Sequence, residues 1–219
     1  MSPAAEPRDD SSAQEVTHVS SAGERRLVPI SVAAPIWERV FMVFPLVLVA
    51  TKEGDGYDVA TKHLAMPLGW DNYFCFVCCP RHATYRNLQT HPQFTVSFPR
   101  AGRILQASMA AGARLDDNSK PTLAALPLLP AIEVDGVLVD DCVLYLECEL
   151  ERIVDGFGAN SLVVGRVVAA SAPSGTLRRG DVDDADLLYG LAPLVYLAPG
   201  RFGVVRETFS LPLPNGFSR

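Results

Sequence analysis

The heptapeptide Arg81-His82-Ala83-Thr84-Tyr85-Arg86-Asn87 is the stretch of this sequence best equipped to bind an anion. It follows Pro80 and opens a predicted helix, where unpaired backbone N–H groups and the positive end of the dipole favour negative charge. Thr84 and Asn87 lie three residues apart, so both side chains can reach one side of that helix. An arginine and a hydroxyl beside free amides make a phosphate cradle. The same pattern also fits a structural role, with Thr84 capping the helix and Asn87 answering from the third position. Three of the four histidines (His63, His82, His91) and the cations Lys52, Lys62, Arg81 and Arg86 fall in or just beyond Pro45–Asn87. In a chain of net charge −6, that gathering points to a small anionic ligand.

A second constellation is Asp58-Val59-Ala60-Thr61-Lys62-His63. An extended segment with short side chains lets its backbone approach a planar ring, and Lys62 or His63 can supply a donor or positive charge at the ring's edge. A solvated strand of alternating polar residues is the competing reading. A third is the loop Asp155–Asn160, where Gly156 and Gly158 permit close approach to a ligand or simply form the turn. Nucleophilic catalysis lacks support: there is no G-x-S-x-G elbow, and Cys79, the one cysteine near a histidine (His82), follows an apolar strand and reads as inert. The histidine spacings match no common metal site. Cys75-x-x-Cys78 has no second Cys/His pair at ligand spacing, so no metal is expected.

These groups must be held by a mainly β scaffold. Val43–Thr51 is a near-continuous apolar run, as in a strand covered on both faces. Gly54-Asp55-Gly56 turns it into a more polar return strand, Tyr57–Leu64. Tyr73–Cys79 is a third strand, ended by Pro80, and a helix over Thr84–Thr90 stops before Pro92. Gln93–Phe98 alternates with the period of a half-buried strand. Ile104–Ala111 reads as a short helix and Leu115–Pro130 as an irregular excursion. Asp135-Gly136 marks a hairpin. Two long strands, Val143–Val154 and Ser161–Ala170, follow, then a short helix over Asp183–Leu191 with acids in its first turn. Pro199-Gly200 turns a last hairpin between Leu194–Ala198 and Arg201–Val205. Many strands with short turns and few helices predict an antiparallel barrel with helical decoration.

Length and composition agree. The 219 residues suit one domain, and 48% hydrophobic with 20% charged residues fits a globular chain and not a disordered one. The acidic balance argues against nucleic acid, and no apolar run reaches the roughly 20 residues that span a bilayer. Met1–Gly23 lacks the basic start and apolar stretch of a signal peptide, so residues 1–24 are expected to be a flexible tail, 25–210 the domain and 211–219 a C-terminal tail. Five cysteines, mostly inside apolar strands, fit buried thiols in a reducing cytoplasm.

Taken in order, these pieces resemble the flavin reductase-like, FMN-binding split-barrel family. The resemblance is carried by Pro45–Thr51, Asp55-Gly56, Asp58-Val59-Ala60-Thr61, Cys79-Pro80 and Thr84-x-x-Asn87. Downstream it continues in Tyr145–Leu150, Val164-Gly165-Arg166-Val167 and the closing hairpin Pro193–Phe202. It implies an antiparallel split β-barrel, Greek-key-like, with a few short helices, and a homodimer holding FMN, with FAD as the alternative. It also implies reduction of flavin by NADH or NADPH, with reduced flavin supplied to a partner monooxygenase. By the same resemblance, Thr51 and Asp58–His63 would lie along the flavin ring, with Arg81, Thr84 and Asn87 around the phosphate, and Lys52, Cys79, His82 and Asn160 are counted with them as cofactor-binding. Asp58 stands where the family pattern has Asn, Lys62-His63 replaces a Tyr-Ser-like pair, and Asn160 replaces a His near the nicotinamide site. Two alternatives stay open: an FMN-binding electron carrier or sensor without turnover, and a flavoenzyme oxidising a small organic substrate, its pocket shaped by Leu115–Pro130.

Overall fold

The computed structural model describes residues 16–20, 23–178, 185–191 and 193–209. Fourteen strands occur among them: β1 (Val16–Ser20), β2 (Gly23–Leu27), β3 (Met42–Pro45), β4 (Val47–Glu53), β5 (Gly56–Lys62), β6 (Ala65–Pro67), β7 (Tyr73–Cys78), β8 (Gln93–Pro99), β9 (Leu128–Pro130), β10 (Val137–Val139), β11 (Cys142–Phe157), β12 (Asn160–Ser171), β13 (Leu194–Ala198) and β14 (Arg201–Val204). Three helices join them: α1 (Ala83–Thr90), α2 (Ile104–Ala110) and α3 (Ala185–Leu191). The main sheet is antiparallel and runs β5-β4-β8-β11-β12-β7-β6, curling into the split barrel that the sequence leads one to expect.

The apolar run over residues 43–51 divides at Leu46. Pro45 carries no backbone N–H and cannot continue a ladder. β3 therefore joins β13 in a separate three-stranded sheet, while β4 enters the main sheet between β5 and β8. The two-sided burial expected of this run holds for β4. Leu46, Leu48 and Ala50 pack with Val59, Ala107 and Tyr145, whereas Val47 and Val49 pack on the other face with Phe74, Phe76 and Leu88. That alternation is the period-two geometry of a strand buried on both sides.

The flexible tail expected over residues 1–24 meets an antiparallel hairpin, β1 with β2, from Val16 onward. The remainder of both expected tails and the start of the helix expected at Asp183 lie outside the described residues. The excursion at 115–130 is less irregular than expected, because β9 pairs with β10 across the Asp135-Gly136 turn. A buried carboxylate holds that turn: Glu147 Oε2 accepts the backbone N–H of Ile132 at 3.0 Å, Glu133 at 2.6 Å and Val134 at 3.2 Å.

Gly165 on β12 is required by packing. A Cβ there would meet Phe94 Cζ at 2.3 Å, and Phe94 is fully buried on β8. Gly165→Ala is therefore expected to cost roughly 1–3 kcal/mol of folding stability, read by urea unfolding, and Phe94→Leu in the same chain should relieve part of it.

Candidate functional site

β5 sets the site. Its pairing with β4 aligns Thr51 with Asp58 and Val47 with Lys62. Val59 points into the core, so Asp58, Ala60 and Lys62 share the opposite face. That face is one wall of a cavity of about 460 Å³. The loop 81–82 and the start of α1 (Arg81, His82, Thr84, Arg86) form a second wall, and residues 110–114, Asn118 and Lys120 form a third.

Thr84 does not cap α1. His82 occupies the cap position without a side-chain hydrogen bond, and Thr84 lies inside the first turn, buried against the cavity. The capping alternative is thereby set aside. Arg86 Nη1 donates to the Arg81 carbonyl at 2.5 Å and so ties the loop to the helix. Cations dominate the lining: Lys62, Arg81, Arg86, Arg114 and Lys120 face Asp58 as the lone carboxylate. Arg114 pairs with Glu53 at 2.9 Å and with Asp58 at 3.0 Å, leaving Lys62, Arg81 and Arg86 without a carboxylate among the described residues. Lys62 Nζ instead lies 3.5 Å from Cys78 Sγ and over the Phe76 ring.

A smaller cavity of about 180 Å³ adjoins the first and shares Thr61, Lys62 and His82 with it. His63, Leu64, Val77, Cys79 and Asn160 complete its lining. Asn160 arrives there because Asp155 accepts from the Tyr85 hydroxyl at 3.1 Å and the Ser161 hydroxyl at 2.6 Å, fastening the β11–β12 turn to α1. Gly156 and Gly158 take positive φ at that turn, so the turn alone accounts for them. Beyond His63 lies an apolar cleft of about 370 Å³ between Trp37, Met42, Phe44 and Leu64. His63 packs edge-on to Phe44 and against Tyr196.

The expected site residues thus separate. Asp58, Ala60, Thr61, Lys62, Arg81, His82 and Thr84 line the large cavity, and His63, Cys79 and Asn160 the small one. Four others lie elsewhere. Val59 is core, because its neighbours on β5 occupy the cavity face. Thr51 is buried and accepts a hydrogen bond from Asn87 Nδ2 at 3.0 Å, so this pair joins α1 to β4 and lines neither cavity. Lys52 is drawn to Asp135 at 3.2 Å and lies over the Tyr57 ring. Arg114, Asn118 and Lys120 were not legible as site residues, since only the tertiary fold brings them to β5.

Electrostatics follow from these placements. Burial, then Lys62, holds His63 below its ordinary value, and burial, then Lys62, Arg81 and Arg86, does the same to His82. Burial pushes the Cys142 and Cys148 thiols up to about 12. Cys79 is different. It is half-exposed, and the backbone N–H of Arg81 and then its side chain pull the thiol below its ordinary value, which sets it apart from the buried thiols.

The family model for the flavin reductase like domain matches residues 39–204, and the chain belongs to that family. Solved structures share the fold at low identity. Nitrilotriacetate monooxygenase component B from Bacillus cereus is 20% identical, with 78% of this chain and 88% of that chain covered and a TM-score of 0.68. An NADH:FAD oxidoreductase from Streptomyces globisporus is 16% identical over 76% and 88%, TM-score 0.61. The FMN-binding protein from Thermus thermophilus, solved with bound p-hydroxybenzaldehyde, is 20% identical over 78% and 91%, TM-score 0.64.

Two outcomes check the site's electrostatics. A water-soluble alkylating reagent should label Cys79 ahead of Cys75, Cys78, Cys142 and Cys148 in the native protein, as mapped by peptide mass spectrometry. Because His63 and His82 are held low in the folded chain, protonation favours unfolding. Their contribution is complete above their ordinary value of 6.5 and is lost as pH falls through the lower folded values. The Tm should drop between about pH 7.5 and about pH 5, and His63→Phe should narrow that drop.

Proposed function

We propose that this protein is an FMN-binding oxidoreductase of the flavin reductase type, using NADH or NADPH and supplying reduced flavin to a partner monooxygenase. The observation that carries the reading is the cavity beside β5, where an acidic chain directs Lys62, Arg81 and Arg86 at the start of α1. This donor set fits a phosphate: guanidinium groups and first-turn amides are the chemistry that binds one. Ala60, Thr61, Lys62 and His63, which line these cavities along the edge strand, suit a flat ring continuing from the phosphate into the smaller cavity. Bound FMN would supply the two-electron chemistry. The chain's own part is to orient the cofactor and to keep positive charge near it.

A homodimer belongs to the same proposal. Trp37, Phe41, Val43, Met66 and Trp70 are all more than half exposed, an apolar surface that a second copy would cover. Among the described residues no helix is long and apolar enough to cross a membrane. The five free thiols, four of them buried, suit a cytoplasmic setting.

A second reading is favoured by the apolar cleft at Trp37, Phe44 and His63, which continues from the smaller cavity through His63 and Leu64. A neutral aromatic substrate would suit it, making the protein a flavoenzyme acting on a small organic molecule. Purified protein is expected to be yellow and to oxidise NADH or NADPH when FMN is added. Colourless protein that takes up no FMN overturns the proposal. Bound flavin with negligible nicotinamide oxidation favours the carrier alternative, and turnover confined to an aromatic substrate favours the second reading. Arg81→Ala should weaken FMN binding roughly tenfold, measured by flavin fluorescence.

A further inference from the structure

The main sheet is open, and β5 and β6 are its two edges. Its curl brings those edges together across a short connection, where the Val77 backbone N–H donates to the Leu64 carbonyl at 2.8 Å. Two side chains meet at the same seam. Lys62 ends β5 and Cys78 ends β7, and Lys62 Nζ lies 3.5 Å from Cys78 Sγ. Both residues are buried, at 7% and 2% exposure. Among the described residues Nζ has no oxygen acceptor; its neighbours are this thiol and, at 5.9 Å, the Phe76 ring. A buried ammonium is ordinarily paired with oxygen, and a thiol is a weak substitute. Small solutes have a route to the seam. Lys62 lines both cavities beside β5, and Val77 and Cys79, which flank Cys78 in sequence, line the smaller one. Cys79 is not placed to pair with Cys78. Successive side chains of a strand point to opposite faces, and Cys79 is half-exposed where Cys78 is buried.

We infer that Lys62 and Cys78 are an oxidative cross-linking site, at which hydrogen peroxide joins Nζ to Sγ through a sulfenamide bond. In the first step Sγ attacks peroxide: an S–O bond forms, the O–O bond breaks, and the thiol proton leaves with the other oxygen as water. The sulfur loses two electrons to the peroxide and becomes a sulfenic acid. In the second step Nζ, after releasing one proton, attacks that sulfur. An S–N bond forms, the S–O bond breaks, and the departing hydroxyl takes a second proton from Nζ as water. Thiol, ammonium and one peroxide thus give the cross-link, two waters and one proton. Burial pushes the Cys78 thiol up, and the charge and hydrogen bond of Lys62 oppose that, so the amine that attacks the sulfur also favours its reactive thiolate. The bond joins one edge of the open sheet to the strand beside its other edge, stapling the split barrel shut. It also removes a positive charge from both cavities. The chemistry needs no bound flavin and is independent of the flavin reading.

The test treats the folded full chain with millimolar hydrogen peroxide and digests it with trypsin in the absence of reductant. Trypsin does not cut after a modified lysine. The cross-linked chain should therefore yield the peptide Glu53–Arg81 uncut at Lys62 and lighter by two hydrogen atoms, with fragment ions placing the link between Lys62 and Cys78. Dithiothreitol should restore the ordinary peptides Glu53–Lys62 and His63–Arg81. Because the bond closes the loop from residue 62 to residue 78, the oxidised protein should melt about 5 °C or more above the reduced one, and dithiothreitol should reverse the rise. Lys62→Arg and Cys78→Ser, shown to be folded by their melting before oxidation, should each lose both the light peptide and the rise in Tm. Should neither variant fold, the wild-type peptide masses and fragment ions decide alone. An unmodified Lys62 after oxidation, whether Cys78 stays a thiol, gains oxygen or joins Cys79, overturns the inference. So does a light, uncut peptide that persists in Cys78→Ser.

Discussion

The register of β5 against β4 decides where Asp58 and Lys62 point, and with them the face that the other cations of the cavity meet. Val59 is fully buried between Leu48, Ala50 and the small residues of α2, and that anchor forces Asp58, Ala60 and Lys62 to the other face. A slip of one residue would drive an aspartate and a lysine into an aliphatic core and expose a valine to the cavity, at a cost no local contact could offset. The β4–β5 turn, the apolar face of α2 and the Thr61 hydroxyl bonded to the Ala107 carbonyl at 2.7 Å all hold the same register.

From that register follows the contrast between the chain and its cavity. The protein is acidic, yet the walls beside β5 carry five cations and one carboxylate. Two of the cations are committed to holding Asp58 and Glu53, which fixes the excursion after α2 as a wall. Lys62, Arg81 and Arg86 remain as the positive field. It acts beside the open amides at the start of α1, where charge and backbone geometry reinforce each other. The depressed histidines share one cause with this field: burial beside cations makes further positive charge expensive.

Much of the fold was legible in the sequence because its signals are local. The two-sided apolar run, the Asp-Gly turns, Pro80 and Pro92 around α1, and the alternation at Phe94, Val96 and Phe98 all fall where the elements form. Leu46 was not legible as a break, since the apolar pattern carries straight through it and only the pairing partners of β3 and β4 differ. The site divided in the same way. Residues on β5 and at the start of α1 could be found because they are sequence neighbours of one another. Arg114 and Lys120 lie far downstream of β5 in an unpatterned stretch, and Thr51 and Asn87 satisfy each other across the fold instead of facing the cavity.

The central claim is that the cationic face opened by β5 and the start of α1 recognises the phosphate of a flavin. Its most direct test compares the Kd of FMN with that of riboflavin, which has the same ring and ribityl chain but no phosphate. FMN is expected to bind at least about tenfold more tightly, with the difference shrinking as ionic strength rises and screens the cations. Equal affinity for the two flavins, insensitive to salt, would contradict it.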